Sequence, residues 1–418
     1  MRKRISEIVS NPLFSGSAVM IIGSNATNFI NYIYHFVLGK LLGPANYGEL
    51  VALVSMIGLL GIIPGFLNLV IIKYVSAAKS EDQVVVLINW LKDRSLKVAL
   101  GFFILIVVAS PFIVSFLHIS QIWYVFLIGA SSFFSIPALV NRSILQGLLR
   151  FKVMIGSILI ENTIKLFLAA VLIYMGFSIG GVLVGIILAA VAGWYFSEIY
   201  LKYRKIERNT NVPDIRPMIL FALPVMLQSF AITSLYSSDL ILVKHFFSSH
   251  DAGIYSAIST LGKIIFFGVG PIGAVMFPIV AKRQSRGENY KKIFIYSSLA
   301  TLFLSIAVLL IYWLFPSFVI TSLYNSSYLE AKNLLFWFGL FMSLFTFSTL
   351  LISYSLSLGR TKVVMLPLSA AFVQIMIIYI FHQSLFSVIA ASILVITLLL
   401  ISLLIYLSFG KGSLWKLN

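Results

Sequence analysis

Asp239, Lys263, Glu161, Lys165 and Arg142 each stand inside a long apolar run, and they are the residues of this chain best placed to do chemistry. An ionisable group in hydrocarbon is costly and is kept where it has a partner or a task. Asp239 lies about eight residues from the end of its run, or about 12 Å deep at about 1.5 Å per helical residue. Lys263 is about 16 Å deep in the next run, measured from the same side. Matched depths on consecutive antiparallel helices predict an Asp239–Lys263 pair, which serves either as a fastener between two helices or as a gating, ion-coupled element.

Glu161 and Lys165 are spaced i, i+4 in the order that favours an intrahelical ion pair. The alternative places Lys165, near the midplane of its run, on a cleft where it meets an anionic ligand. Arg142 has no acid within a helical turn, and a guanidinium suits bidentate recognition of phosphate oxygens. The competing reading is an arginine snorkelling to lipid headgroups. Asn25, Asn28, Asn31 and His35 follow one another at spacings that place them on one helix face. They either hydrogen-bond a polar ligand in a cleft or bond to a neighbouring helix. Gln146, Asn162, Gln228 and Gln374 are weaker candidates of the same type. No phosphate-cradling Gly-Lys-Ser/Thr loop is present, so ATP is not the direct energy source, and lone serines and scattered acids make no catalytic triad. The absence of cysteine excludes disulfides and thiolate metal sites.

The elements that position these groups must be membrane-spanning helices. The chain has 418 residues, 60% apolar and only 10% charged, against about a quarter charged in soluble domains. Its apolar runs reach the length of about 20 residues that a helix needs to cross a bilayer. They are apolar on every face and too long for the alternating strands of a barrel. Twelve spans are expected, near 12–39, 46–72, 95–117, 122–148, 152–175, 179–202, 217–247, 252–280, 293–315, 331–358, 362–381 and 384–409. The opening MRKR imitates a secretory signal, but the run behind it is long enough to span and has a counterpart later, so it is read as the first span.

The net charge of +17 reflects topology rather than a nucleic-acid partner. With the N-terminus inside, 24 of the 30 Lys and Arg fall on inner segments, while only Lys40, Lys244 and Lys332 fall on outer ones. That bias follows the positive-inside rule and predicts that both termini are cytoplasmic. Connections are short, the longest lying near 76–94, 203–216 and 316–330. The halves look related: Lys40 and Gly48 correspond to Lys244 and Gly253, Gly61 and Pro64 to Gly268 and Pro271, and Arg150 and Lys152 to Arg360 and Lys362. Repeats six spans apart share an orientation and imply a pseudo-two-fold axis along the membrane normal. The expected fold is therefore an all-α integral membrane protein of two six-helix lobes, residues 1–208 and 209–418, with a cleft between them.

Three stretches in order, DLILVKHF, AGIYSAISTLGK and PIGAVMFPIVAK, resemble the seventh and eighth helices of polysaccharide flippases in the multidrug/oligosaccharidyl-lipid/polysaccharide exporter (MOP) superfamily. LGKLLGPANYGELVAL after the first span and ILQGLLRF closing the fourth resemble the same family. The resemblance covers nearly the whole chain. It implies a transporter that carries undecaprenyl-diphosphate-linked oligosaccharide between leaflets of the cytoplasmic membrane for cell-surface polysaccharide such as O-antigen. It implies no cofactor, with coupling to a sodium or proton gradient left open. The expected partners are the lipid-linked substrate, membrane lipids and other polysaccharide-assembly proteins. Arg142, Lys165, Asn25, Asn28 and Asn31 are the cleft candidates. A multidrug exporter of the same superfamily is the first alternative, disfavoured because the acids read inside the first six spans are only Glu161 and Glu198. A membrane polymerase or ligase is the second, disfavoured because no large external loop is present.

Overall fold

A computed structural model describes residues 12–65, 67–78, 80–201 and 216–409. Among these residues the only regular elements are helices. In chain order they are α1 (Pro12–Leu60), α2 (Ile62–Gly65), α3 (Leu67–Ala77), α4 (Glu81–Leu117), α5 (Ile122–Gly147), α6 (Phe151–Tyr174) and α7 (Ser178–Ile199). There follow α8 (Arg216–Phe246), α9 (Ser249–Ser285), α10 (Lys291–Leu314), α11 (Pro316–Leu323), α12 (Lys332–Ser357), α13 (Met365–Ile380) and α14 (Leu385–Phe409). Short 3-10 turns at Ser326–Ala331 and Thr361–Val364 precede α12 and α13.

Eleven helices among the described residues are long and apolar enough to cross a membrane. The expected count of twelve differs at the start of the chain. There α1 is two helices joined end to end across a kink at the non-helical Gly43 (φ 72°, ψ 172°), so the first two expected spans count as one. Glycine accepts this left-handed backbone without a Cβ clash, and the following proline lacks the N–H that would continue the helical ladder. Large side chains such as Phe303 (72% exposed) and Phe318 (70% exposed) point away from the protein. A helix solvated by hydrocarbon keeps its backbone bonds internal and need not hide such groups.

One expected connection is helical instead. The segment near 76–94 forms the start of α4, where the Ser80 hydroxyl accepts the Gln83 N–H at 3.3 Å and caps the helix. Lys97 closes an i, i+4 pair with Asp93 at 2.8 Å on the same helix. Its solvated polar face is what made the segment look like a loop. At α9, the Ser248 hydroxyl accepts the Asp251 N–H at 3.1 Å.

The chain forms two compact units, residues 1–42 with 60–226, and residues 43–59 with 227–418. The expected break after residue 208 lies outside the described residues. The second half of α1 packs within the second unit, a partition that a simple halving of the sequence does not contain. In the first unit α5 is central: α3, α4 and α7 pack on it, and α6 packs on α7. In the second unit α12 is central, against α9, α10 and α14, with α13 on α14.

Candidate functional site

In the first unit the ionisable residues sort differently from their sequence spacing. Arg142 on α5 is joined to the Glu161 carboxylate on α6. Its Nε also donates to Ser157 Oγ at 3.0 Å, and Ser157 in turn donates to the Gly193 carbonyl on α7 at 2.8 Å. The expectation that Arg142 lacks an acidic partner is thus overturned. The partner lies on the next helix, 19 residues on, where a within-helix search does not reach. The expected Glu161–Lys165 bond is likewise absent among the ion pairs, since Glu161 turns to Arg142. Three helices meet tightly at this pair. A Cβ at Gly193 would lie 2.5 Å from Glu161 Oε2 and 2.6 Å from Arg142 Nη2.

Lys165, one turn further along α6, donates to Asn31 Oδ1 at 2.8 Å and stands 4.6 Å from the centre of the Tyr34 ring. Both partners are neutral; Glu161 acts on it only through space. Of the three asparagines singled out by spacing, Asn31 meets Lys165, Asn28 is half-buried and Asn25 is exposed. Glu198 is held by Lys92 at 2.7 Å and by the Asn141 amide at 2.9 Å. Lys92 reads in the sequence as a loop cation, and only the helical continuation of α4 brings it there.

In the second unit Asp239 on α8 is fully buried. Its carboxylate accepts the Tyr255 hydroxyl at 2.7 Å and the Leu240 N–H at 2.8 Å. Lys263 on α9 stands over the Tyr236 ring at 5.3 Å. It acts on Asp239 electrostatically but makes no direct ion pair with it. The depth argument therefore places the two groups near each other, and the sequence carries no information on their rotation about the helix axes.

A second buried cluster was not anticipated. Lys244, expected on an outer connection, is 1% exposed and interacts with Glu49, itself 6% exposed. Two residues before Glu49, Tyr47 shares hydrogen bonds with Thr260 (3.1 Å) and Tyr324 (3.3 Å). Gly48 and Gly253, read as repeat equivalents, pack backbone against backbone: a Cβ on Gly253 would fall 1.9 Å from the Pro44 carbonyl oxygen. The same small-residue positions that suggested a repeat are thus a close helix crossing within the second unit.

The second unit also contains a cavity of about 250 Å³ between α8, α9, α10 and α12. Gln228, Thr301, Thr346, Thr349 and Ser353 supply its polar wall, and Phe266, Ile232, Val269 and Leu350 its apolar one. No charged side chain lines it.

A family model described as "Polysaccharide biosynthesis protein" matches residues 13–284. No curated protein matches the chain. Among solved structures, an inward-facing multidrug resistance transporter of the MATE family in the MOP superfamily is 15% identical, with TM-score 0.74 over 90% of this chain and 93% of its own. Lipid II flippase MurJ in an inward closed conformation is 13% identical, with TM-score 0.74 over 95% of this chain and 88% of its own. A MATE structure in a bent conformation is 15% identical, with TM-score 0.66 over 98% of this chain and 95% of its own. These likenesses describe the fold, while the family match covers well over half of the sequence. The chain belongs to the polysaccharide biosynthesis protein family, as a multi-pass membrane protein whose fold is similar to those of the MATE and MurJ structures.

Proposed function

We propose that the protein is a flippase that moves undecaprenyl-diphosphate-linked oligosaccharide from the inner to the outer leaflet of the cytoplasmic membrane by alternating access. In this reading both termini are cytoplasmic, and the chain performs no covalent chemistry. The observation that carries it is Lys165, a cation within a spanning helix that is held by an amide oxygen and an aromatic face rather than by a carboxylate. With no carboxylate in direct contact, such an ammonium is open to a ligand anion, and exchanging Asn31 for a diphosphate oxygen replaces a bond to a neutral acceptor by one in which both partners are charged. The family match and the flippase MurJ among the structural neighbours agree with a lipid-linked diphosphate as that anion.

Arg142 takes a supporting role, because Glu161 already neutralises it. Asn31 releases or shares Lys165 as substrate arrives, while Asn25 and Asn28 extend the same face. Asp239 and Lys263 are the titratable groups through which a sodium or proton gradient would act. Any such ion must bind the two states of the transporter unequally, since only differential affinity moves the equilibrium.

The multidrug alternative needs a free acid for cationic drugs. Glu161 and Glu198 are each engaged, by Arg142 and by Lys92 with Asn141, and this favours the flippase. The test is a leaflet-sidedness assay of lipid-linked glycan in a deletion strain. Wild-type protein should clear glycan from the inner leaflet, and Lys165→Ala should leave it there while inserting normally. Full activity of Lys165→Ala would remove the diphosphate site from this position, and drug sensitivity without glycan accumulation in the deletion strain would favour the exporter.

A further inference from the structure

The cavity in the second unit has a chemistry that none of the charged clusters shares. We propose that it is a subsite for a neutral sugar ring of the transported glycan, an inference that rests on the flippase reading above. Among the described residues, Thr301 is 1% exposed and its hydroxyl is unbonded. The Gln228 amide and the Ser353 hydroxyl line the same cavity and are only partly buried. A buried hydroxyl left unpaired costs about 1–3 kcal/mol, so the site gains from a ligand or water that supplies both donors and acceptors. Thr346 and Thr349 spend their hydrogens on the Met342 and Thr346 carbonyls, at 2.6 and 2.8 Å. Their oxygens consequently remain as acceptors on the wall.

Gln228 offers two donors and an acceptor on one planar group, which matches adjacent hydroxyls on a pyranose. Phe266 adds an aromatic face for the C–H side of such a ring. With no cation in the lining the cavity does not suit the diphosphate, and with no anion it does not suit a cationic drug. A volume of about 250 Å³ is several times the ~30 Å³ share of one water molecule. Neutral, polyhydroxylated and partly apolar is the description of an uncharged hexose.

The chain contains no cysteine, so a single thiol reports on this wall without background. The full-length Ser353→Cys protein would be alkylated with N-ethylmaleimide in vesicles, with Thr349→Cys as a second reporter. Each is tested with undecaprenyl diphosphate carrying a neutral hexose trisaccharide, and with undecaprenyl diphosphate alone. The glycan at about ten times its Kd should slow alkylation about tenfold, and the sugarless lipid should leave the rate unchanged. Adding Gln228→Leu should raise the glycan concentration needed for protection by about tenfold, the loss expected for one removed hydrogen bond; a purely conformational screening of the thiol would not respond to it.

Equal protection by the sugarless lipid, no protection by the glycan, or resistance of both thiols to alkylation without ligand would overturn the subsite. Glycan flipping by wild-type protein in the same vesicles separates the two ideas. If flipping proceeds while the glycan fails to protect, the subsite is wrong and the flippase reading stands. If wild-type protein does not flip, the flippase reading is wrong.

Discussion

Arg142→Met asks whether the arginine is primarily a ligand for substrate or one half of a structural pair. The Arg142 and Glu161 side chains are 16% and 22% exposed, so neither is well solvated. At an effective dielectric near 20, opposite charges about 4 Å apart attract by about 4 kcal/mol. Removing one partner of a buried pair leaves the other charge uncompensated and costs about 3–5 kcal/mol. Because some solvent reaches both groups, the lower end applies, and about 3 kcal/mol corresponds to roughly 10²-fold in the folded population. On the scale of a unit of 150–250 residues, that is a fall of about 6–12 °C in Tm. The double variant Arg142→Met/Glu161→Met removes both charges in favour of similar volume and should recover to within about 1 kcal/mol of the parent. Thermal unfolding of purified protein in detergent reads the stability, and the leaflet-sidedness assay reads transport in parallel. The reasoning is refuted if Arg142→Met unfolds at the parent temperature yet abolishes transport, or if the double variant is less stable than either single one.

Gly253→Ala would set a Cβ 1.9 Å from the Pro44 carbonyl oxygen, and a backbone contact yields less readily than a side chain. It should cost at least about 3 kcal/mol, the upper range of overpacking, and lower both yield and Tm, while Gly268→Ala, with open space around it, should be tolerated. Exchanging charges with Asp239→Lys and Lys263→Asp should fail to restore folding, because Asp239 bonds directly to Tyr255 and Leu240 rather than to Lys263; a stable exchanged protein would show that the two charges alone define the site. Tyr255→Phe should destabilise by about 1–3 kcal/mol through the lost donor to a buried carboxylate, read as a fall in Tm, and an unchanged Tm would show that another donor compensates.

The helical membrane architecture was legible because it depends on summed hydropathy, which tolerates local error. Individual partners were not, and the reason is geometric. Spacing within one helix reports its faces but not which neighbour each face meets. Hence Glu161 was matched to Lys165 when α5 supplies Arg142, and Asp239 was matched by depth to Lys263 when Tyr255, eight residues before Lys263, is the direct donor. Lys92 and Lys244 were assigned to connections because a lysine ordinarily signals a solvated end. One gains Glu198 through the helical continuation of α4, and the other is buried with Glu49. Glu49 was overlooked at the edge of a span, although GPANYGEL places it one turn beyond the Gly43–Pro44 break. The lone signal for the cavity was Gln228, noted among four scattered amides. Nothing in the sequence brings α10 and its Thr301 to face it.

Placing the charges changes how the net +17 bears on function. Most of the Lys and Arg lie outside the apolar runs, so the net charge says little about the interior. Among the groups discussed inside the protein, Arg142 faces Glu161, Lys92 faces Glu198, Lys244 faces Glu49, and Lys263 lies within the field of Asp239. In the first unit Lys165 is the cation whose direct contacts are both neutral, as Lys263 over the Tyr236 ring is in the second. On the flippase reading, one such cation beside the ligand does not hold a diphosphate by neutralisation. A single unit-charge attraction in a partly wet site is worth about 4 kcal/mol before desolvation is subtracted, and millimolar affinity already requires about that much. On that reading the remaining affinity comes from neutral contacts, of the kind a sugar would provide. A weakly held diphosphate suits a carrier, since a site that bound it tightly in both states would slow release without shifting the equilibrium between them.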